Sequence, residues 1–275
     1  MTQTAVLYSR VGVLKAELPS AGIELMPGVC WGAVDAFPTP AYWVFQTLNR
    51  RMNSAPLRYR LGRSLAEEVG ACLLGGHGIP AEVGLAAYER MRLKDAFNPR
   101  AIPTEESVLD WLAEPLEVAT RRVRYRFAAQ KSRYLAACLP IVHDAPSFAT
   151  GRQLRDWLLA LPGIGPKTAS WVARNWMDAD DVAILDVHIL RFGQAIGLFD
   201  TSMKVEKDYL KLESLFLEFS SRVDVRPSEL DAVIWYEMAN SPLAVRALSK
   251  QHRAPKPGAR PSRKSGPKTV QFELI

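Results

Sequence analysis

Residues 161–188 read LPGIGPKTASWVARNWMDADDVAILDVH, and this stretch decides how the rest of the chain is understood. Pro162-Gly163-Ile164-Gly165 places two glycines where a chain must turn tightly, and Pro166 suits the first turn of a following helix. The pattern predicts a helix, a hairpin turn and a second helix. Glycines before a helix N-terminus let backbone N–H groups point outward, a form suited to a phosphate or a phosphate-bound cation and hence to a nucleic-acid backbone of any sequence. Lys167 follows the turn directly. Asp186 stands nineteen residues later and opens another apolar helical pattern. A lysine and a carboxylate are therefore the candidate chemical groups, at Lys167 and Asp186.

Outward from this stretch the chain reads as almost entirely helical. Apolar residues at three- and four-residue spacing between Pro, Gly and Ser/Thr breakers predict helices over 41–52, 61–74, 81–96, 105–112 and 131–142. The hairpin helices are predicted over 150–159 and 166–177, followed by helices over 186–196, 205–219 and 228–239, the last capped by Ser228. Residues 1–39 form a short β-like run and a Pro/Gly-punctuated linker, read as an irregular arm. Pro, Gly, Ser and basic residues dominate 250–269, which predicts a disordered tail.

With 275 residues, 48% of them hydrophobic, the chain can bury a sizeable core. No apolar run reaches about 18 residues, and MTQTAVLYSR lacks the charged-then-apolar layout of a signal peptide, so a cytoplasmic or nucleoid-associated protein is expected, with no membrane partner. Cys30, Cys72 and Cys138 lie too far apart for a disulfide framework, a zinc site or an iron–sulfur cluster. No cofactor and no catalytic metal are expected. The net charge of +6 belongs to residues 250–275, where Lys250, Arg253, Lys256, Arg260, Arg263, Lys264 and Lys268 face Glu273 alone; residues 1–249 are formally neutral. Any nucleic-acid surface on the body must then be a local patch, with the tail adding salt-sensitive attraction to phosphate.

LPGIGPK followed by ILDVH at this spacing resembles the helix-hairpin-helix DNA glycosylases, and among them the 8-oxoguanine DNA glycosylases. The absence of four closely spaced cysteines sets it apart from the cluster-bearing branch. The resemblance implies an all-α fold of two helical domains flanking a cleft. Residues 40–178 would end in the hairpin, residues 179–249 would form the other domain, and the 1–39 arm would pack on that second domain. It implies that Lys167 is the nucleophile and Asp186 the essential carboxylate of a base-excision enzyme with AP lyase activity. Its partner would be double-stranded DNA carrying a damaged guanine, bound by a monomer. A non-catalytic DNA-binding module, or a glycosylase for another lesion, are the alternatives.

A base removed from DNA must leave the stack and enter a pocket that stacks on its faces and reads its edge. Trp171 lies four residues, one helical turn, beyond Lys167, and Trp235 lies four beyond Asp231. The resemblance assigns Trp171 and Trp235 to stacking and Asp231 to the base edge, where a carboxylate can accept from N1–H and N2–H of guanine. An aromatic and a carboxylate at these positions are similar to the archaeal-type enzymes, whereas the vertebrate type has a cysteine and an amide. Gln46 is a candidate acceptor for the N7–H of 8-oxoguanine, with an ordinary surface amide as the alternative. Gly163, Gly165 and His188 are candidates for backbone phosphates. So are Lys131 and Arg133, in a segment, RRVRYRFAAQKSRYL over 121–135, that interleaves basic and aromatic residues. The hairpin carbonyls of Leu161 and Ile164 could hold a structural cation. At the end of the tail, Gln271, Leu274 and Ile275 in QFELI resemble the short peptides by which bacterial DNA enzymes hold the replication sliding clamp; folding back onto the body is the competing reading.

Overall fold

The computed structural model describes residues 1–53, 59–76 and 78–240. The tail and its terminal peptide, Gln271 to Ile275, lie outside the described residues. The chain opens with an antiparallel hairpin, β1 (Thr2–Ser9) and β2 (Gly12–Pro19), in a register that sets Ala5 opposite Ala16. Two short strands, β3 (Glu24–Met26) and β4 (Val29–Cys30), pair next. Four helices follow: α1 (Pro40–Asn53), α2 (Leu65–Leu74), α3 (Ala81–Leu93) and α4 (Glu105–Ala113). A hairpin of β5 (Leu116–Val118) and β6 (Arg121–Val123) interrupts the helices before α5 (Ala128–His143). The remaining helices are α6 (Gly151–Leu158), α7 (Pro166–Met177), α8 (Val187–Ala195), α9 (Val205–Arg222) and α10 (Pro227–Asn240).

Local chemistry sets the helix starts. Ser64, Thr104 and Thr150 accept from the backbone N–H three residues on, at 3.2 Å in each case, and so cap α2, α4 and α6. The capping by Ser64 starts α2 four residues later than the apolar pattern from Leu61 suggests. Gly62 and Leu61 instead donate backbone N–H groups to the buried Glu68 carboxylate, at 2.7 and 2.8 Å.

Two apolar cores form. One gathers α2 to α7 around Val69, Leu73, Leu112, Leu139, Leu154 and Val172. The other joins the N-terminal strands, α1 and α8 to α10 around Trp43, Phe192, Leu212, Phe216, Phe219 and Ile234. Helix α1 thus differs from the sequence reading, which grouped residues 40–178 together. Its Trp43 packs edge-on to Phe192 at 5.8 Å between centroids, and Phe192 meets Phe219 at 5.5 Å, so aromatic burial draws α1 onto the later helices. The chain leaves the second core after α1, builds the first, and returns to the second at Ala183.

Candidate active site

The turn between α6 and α7 is built from the predicted residues. Leu161 and Ile164 are buried, Ile164 N–H donates to Leu161 O at 3.2 Å, and Gly163 adopts φ +75°. Helix α5 closes over it: Cys138 Sγ donates to Pro162 O at 3.1 Å, and the Tyr134 ring lies where a Cβ on Gly163 would stand, 2.2 Å from it. Gly163→Ala meets both a strained left-handed φ and that ring. It is expected to cost about 1–3 kcal/mol in denaturant unfolding and to weaken binding to undamaged duplex. Unchanged stability and binding would show that the turn neither requires glycine at 163 nor takes part in holding duplex. Leu161 O already accepts the turn hydrogen bond, so a cation there would share that oxygen. Among the described residues no group of three or more His, Cys, Asp or Glu could hold a metal.

Gly165 and Pro166 start α7, which puts Lys167 in its first turn. Asp186 caps α8, its Oδ1 accepting from His188 N at 2.8 Å and Ile189 N at 3.1 Å. Its Oδ2 faces Lys167 Nζ at 3.9 Å. The lysine side chain is 36% exposed and that of the aspartate 11%, so the pair sits at the edge of the protein with one side open. The aspartate is therefore an N-cap and a partner of the lysine at once. His188, one residue into α8, is half-buried; burial holds its imidazolium below the usual histidine range, against the pull of Asp186, and its Nδ1 has no hydrogen-bond partner among the described residues.

From Lys167 one face of α7 continues through Trp171 to Arg174. Trp171 is half-buried with its ring edge against Gly75, where an added Cβ would stand 3.1 Å from Cη2. Arg174 is 7% exposed and lies under the Tyr59 ring, 3.9 Å from its centroid. It reaches Asp231 Oδ1 on α10 at 3.5 Å. Asp231 is buried, and its Oδ2 accepts from Ile184 N at 3.2 Å. Burial pushes its carboxyl up to about 6, with Arg174 pulling the other way. Asp231 is thus engaged within the protein, not presented at an open wall. Trp235, one turn on, is 47% exposed.

The other predicted residues are more dispersed. Gln46 is half-buried on α1 and has no hydrogen-bond partner among the described residues; one turn on, Arg50 stacks on Tyr236 of α10 at 5.0 Å. Lys131, half-buried on α5 a turn before Tyr134, has an ammonium held below the usual lysine range by burial. Arg133 reaches Glu105 at 3.9 Å, Arg121 reaches Glu82 at 3.1 Å and Arg122 reaches Glu117 at 3.0 Å. These are exposed pairs of little energy.

Sequence reasoning missed Arg174, Tyr209 and Glu213. Glu213 had a signal. It occupies a core position of α9, on the face of Tyr209, Leu212, Phe216 and Phe219, where a charge must be paired.

A sequence model of the family described as 8-oxoguanine DNA glycosylase matches residues 90–225. The 8-oxoguanine DNA glycosylase/AP lyase of Methanocaldococcus jannaschii is 34% identical over 129 residues, 45% of this chain and 62% of that protein. Over residues 90–225, just under half of its length, this chain is similar to the 8-oxoguanine DNA glycosylases. The enzyme of the same name from Metallosphaera sedula is 34% identical over 128 residues, 45% of this chain and 63% of that protein. The matched stretch thus spans less than two thirds of either relative. The solved structure of the M. jannaschii 8-oxoguanine DNA glycosylase is 26% identical with a TM-score of 0.51, over 65% of this chain and 81% of that one. The Thermotoga maritima 8-oxoguanine DNA glycosylase, 22% identical, shares the fold with a TM-score of 0.54 over 73% of this chain and 97% of that one.

Proposed function

We propose that this protein is a DNA glycosylase and AP lyase that removes 8-oxoguanine from double-stranded DNA. The observation that carries the reading is the pairing of Lys167 with Asp186 at 3.9 Å, at the start of the helix that leaves the hairpin. The names of the relatives support the same activity. With the nucleotide flipped out of the duplex, the glycosidic electron pair leaves with the base. The sugar then gains oxocarbenium character that the Asp186 carboxylate offsets. Lys167 gives up one ammonium proton to solvent, its freed amine bonds to C1′, and the second proton it sheds on bonding goes to the departing base. Opening of the sugar gives a Schiff base, and loss of a C2′ proton expels the 3′ phosphate, which nicks the strand.

In this reading Trp171 and Trp235 stack on the base and Asp231 accepts from its edge, once entry of the base uncovers a carboxylate that Arg174 and Ile184 hold in the free protein. Gln46 is the proposed acceptor for N7–H. Gly163, Gly165, His188, Lys131 and Arg133 take the phosphates. The terminal Gln271, Leu274 and Ile275 are proposed to tether the enzyme to a sliding clamp, on the strength of their residue pattern alone. No helix among the described residues is long and apolar enough to cross a membrane.

A panel of duplexes carrying 8-oxoguanine, an oxidised pyrimidine or an alkylated purine tests the function, read as released base and as borohydride-trapped adduct. Excision and trapping on 8-oxoguanine are expected; binding without excision on every duplex would leave a non-catalytic module. Trp171→Ala should weaken binding to lesion duplex by about 1–3 kcal/mol through lost stacking, with undamaged duplex unaffected. Equal weakening on both would assign the indole to general binding or folding.

A further inference from the structure

Residues 182–186 carry the chain from the first core to Asp186 without belonging to any helix or strand. A segment with no ladder must satisfy its backbone groups elsewhere. Here side chains of α9 and α10 do so. Ala183 N donates to Glu213 Oε1 at 3.0 Å, Ile184 N to Asp231 Oδ2 at 3.2 Å, and Leu185 N to Tyr209 Oη at 3.1 Å. Tyr209 Oη in turn donates to Ala183 O at 2.8 Å. Three successive N–H groups thus end on three buried side chains, immediately before the carboxylate that faces Lys167.

Glu213 reaches further. Its Oε1 also accepts from Ser170 Oγ at 2.9 Å, and its Oε2 accepts from Arg155 Nη1. Ser170 stands three residues after Lys167 on α7, and Arg155 belongs to α6, so one carboxylate ties both hairpin helices to the segment that ends in Asp186. The two cores meet through this side chain. The spacing of lysine and aspartate is then set by Glu213 and Tyr209, not by their own contact, which is long and partly exposed.

We infer that Tyr209 and Glu213 are positioning residues for the excision step, holding Ala183 to Leu185 so that Asp186 stands opposite Lys167. This rests on the reading of that pair as the reacting groups. Both side chains are buried, so each acts through the geometry of the aspartate. A displacement of about 1 Å at a reacting group can lower a rate on the order of a hundredfold. Binding to the duplex, which depends on the hairpin and the basic surface, has no such dependence.

Tyr209→Phe removes one hydroxyl and leaves the ring in the core. Single-turnover excision of 8-oxoguanine at saturating enzyme is expected to fall on the order of tenfold to a hundredfold, with Kd for the lesion duplex within about twofold of wild type. Leu112→Val, in the core of the other domain, serves as a stability-matched control and should keep its rate. A Tyr209→Phe rate within about twofold of wild type, or a parallel loss in the control, would overturn the inference. If Tyr209→Phe does not fold by circular dichroism, Ser170→Ala decides instead, since it severs α7 from Glu213 and leaves Lys167 and Asp186 intact; an unchanged rate there overturns the inference equally. A wild-type protein inactive on 8-oxoguanine duplex would refute the function itself, whereas an active wild type with unaffected variants refutes only the positioning.

Discussion

Replacing Lys167 with glutamine is expected to abolish the borohydride-reduced adduct and to lower release of 8-oxoguanine by at least about three orders of magnitude. Glutamine has nearly the reach of lysine but no amine that can bond to C1′, so the covalent route is closed while the first turn of α7 keeps its shape. Stability should hold, because the substitution removes only a partly exposed ion pair 3.9 Å apart, of a kind that contributes about 0–1 kcal/mol. Affinity for the duplex should hold as well, since the hairpin backbone is untouched. Asp186→Asn separates the two roles of the aspartate. Asparagine caps a helix as well as aspartate does, so α8 is retained, while the counter-charge to the oxocarbenium is removed. Asp186→Ala should lose activity and about 1 kcal/mol of stability in addition. A Lys167→Gln protein that still traps DNA would refute the assignment, and Lys131, whose ammonium burial already disfavours, would be the amine to examine next.

The parts of this site that were legible in the sequence are those fixed by local chemistry. Gly163 supplies the φ of +75° that the turn needs, Pro166 fixes φ at the start of the next helix, and an aspartate directly before an apolar helical run is a cap before it is anything else. Trp171 on the face of Lys167 follows from helical spacing alone. What was not legible depends on distant packing. Nothing in the residues of α1 says that Trp43 will meet Phe192 and not the neighbouring α2. The β5–β6 hairpin was hidden because its turn runs through Ala119 at φ +51°, a conformation that glycine or asparagine ordinarily signals. Asp231 illustrates the same limit: spacing could put it on the face of Trp235, but only the folded chain brings Arg174 from α7 to its oxygen. Glu213 is the contrary case, a charge at a core position whose oddness was readable before its partners were known.

The Arg174–Asp231 pair supplies the second large effect. Both side chains are buried, at 8% and 4% exposure, and their separation is long at 3.5 Å, so attraction only partly offsets the loss of water around the two charges. Asp231→Ala should therefore cost about 3–5 kcal/mol at neutral pH, because it leaves the Arg174 guanidinium buried without a counter-charge and Ile184 N without an acceptor. Replacing both partners with apolar residues, Arg174→Met with Asp231→Leu, should recover most of that loss, and a double-mutant cycle in denaturant measures the coupling. The pH dependence has a definite sign. The Asp231 carboxyl is raised from 3.8 to about 6 in the folded chain, so the folded state holds a proton that the unfolded state releases between those values. From this group alone, stability is greatest below the unfolded value and is lost as pH rises through about 6, a difference of about 3 kcal/mol across the window. Alanine at this position has no proton to hold, so the stability gap between wild type and Asp231→Ala should widen as pH falls from about 7 to about 5. A gap that narrows over that range would mean that attraction to Arg174 outweighs burial. The carboxylate would then be a stably ionised acceptor already suited to the N1–H and N2–H donors of a guanine edge.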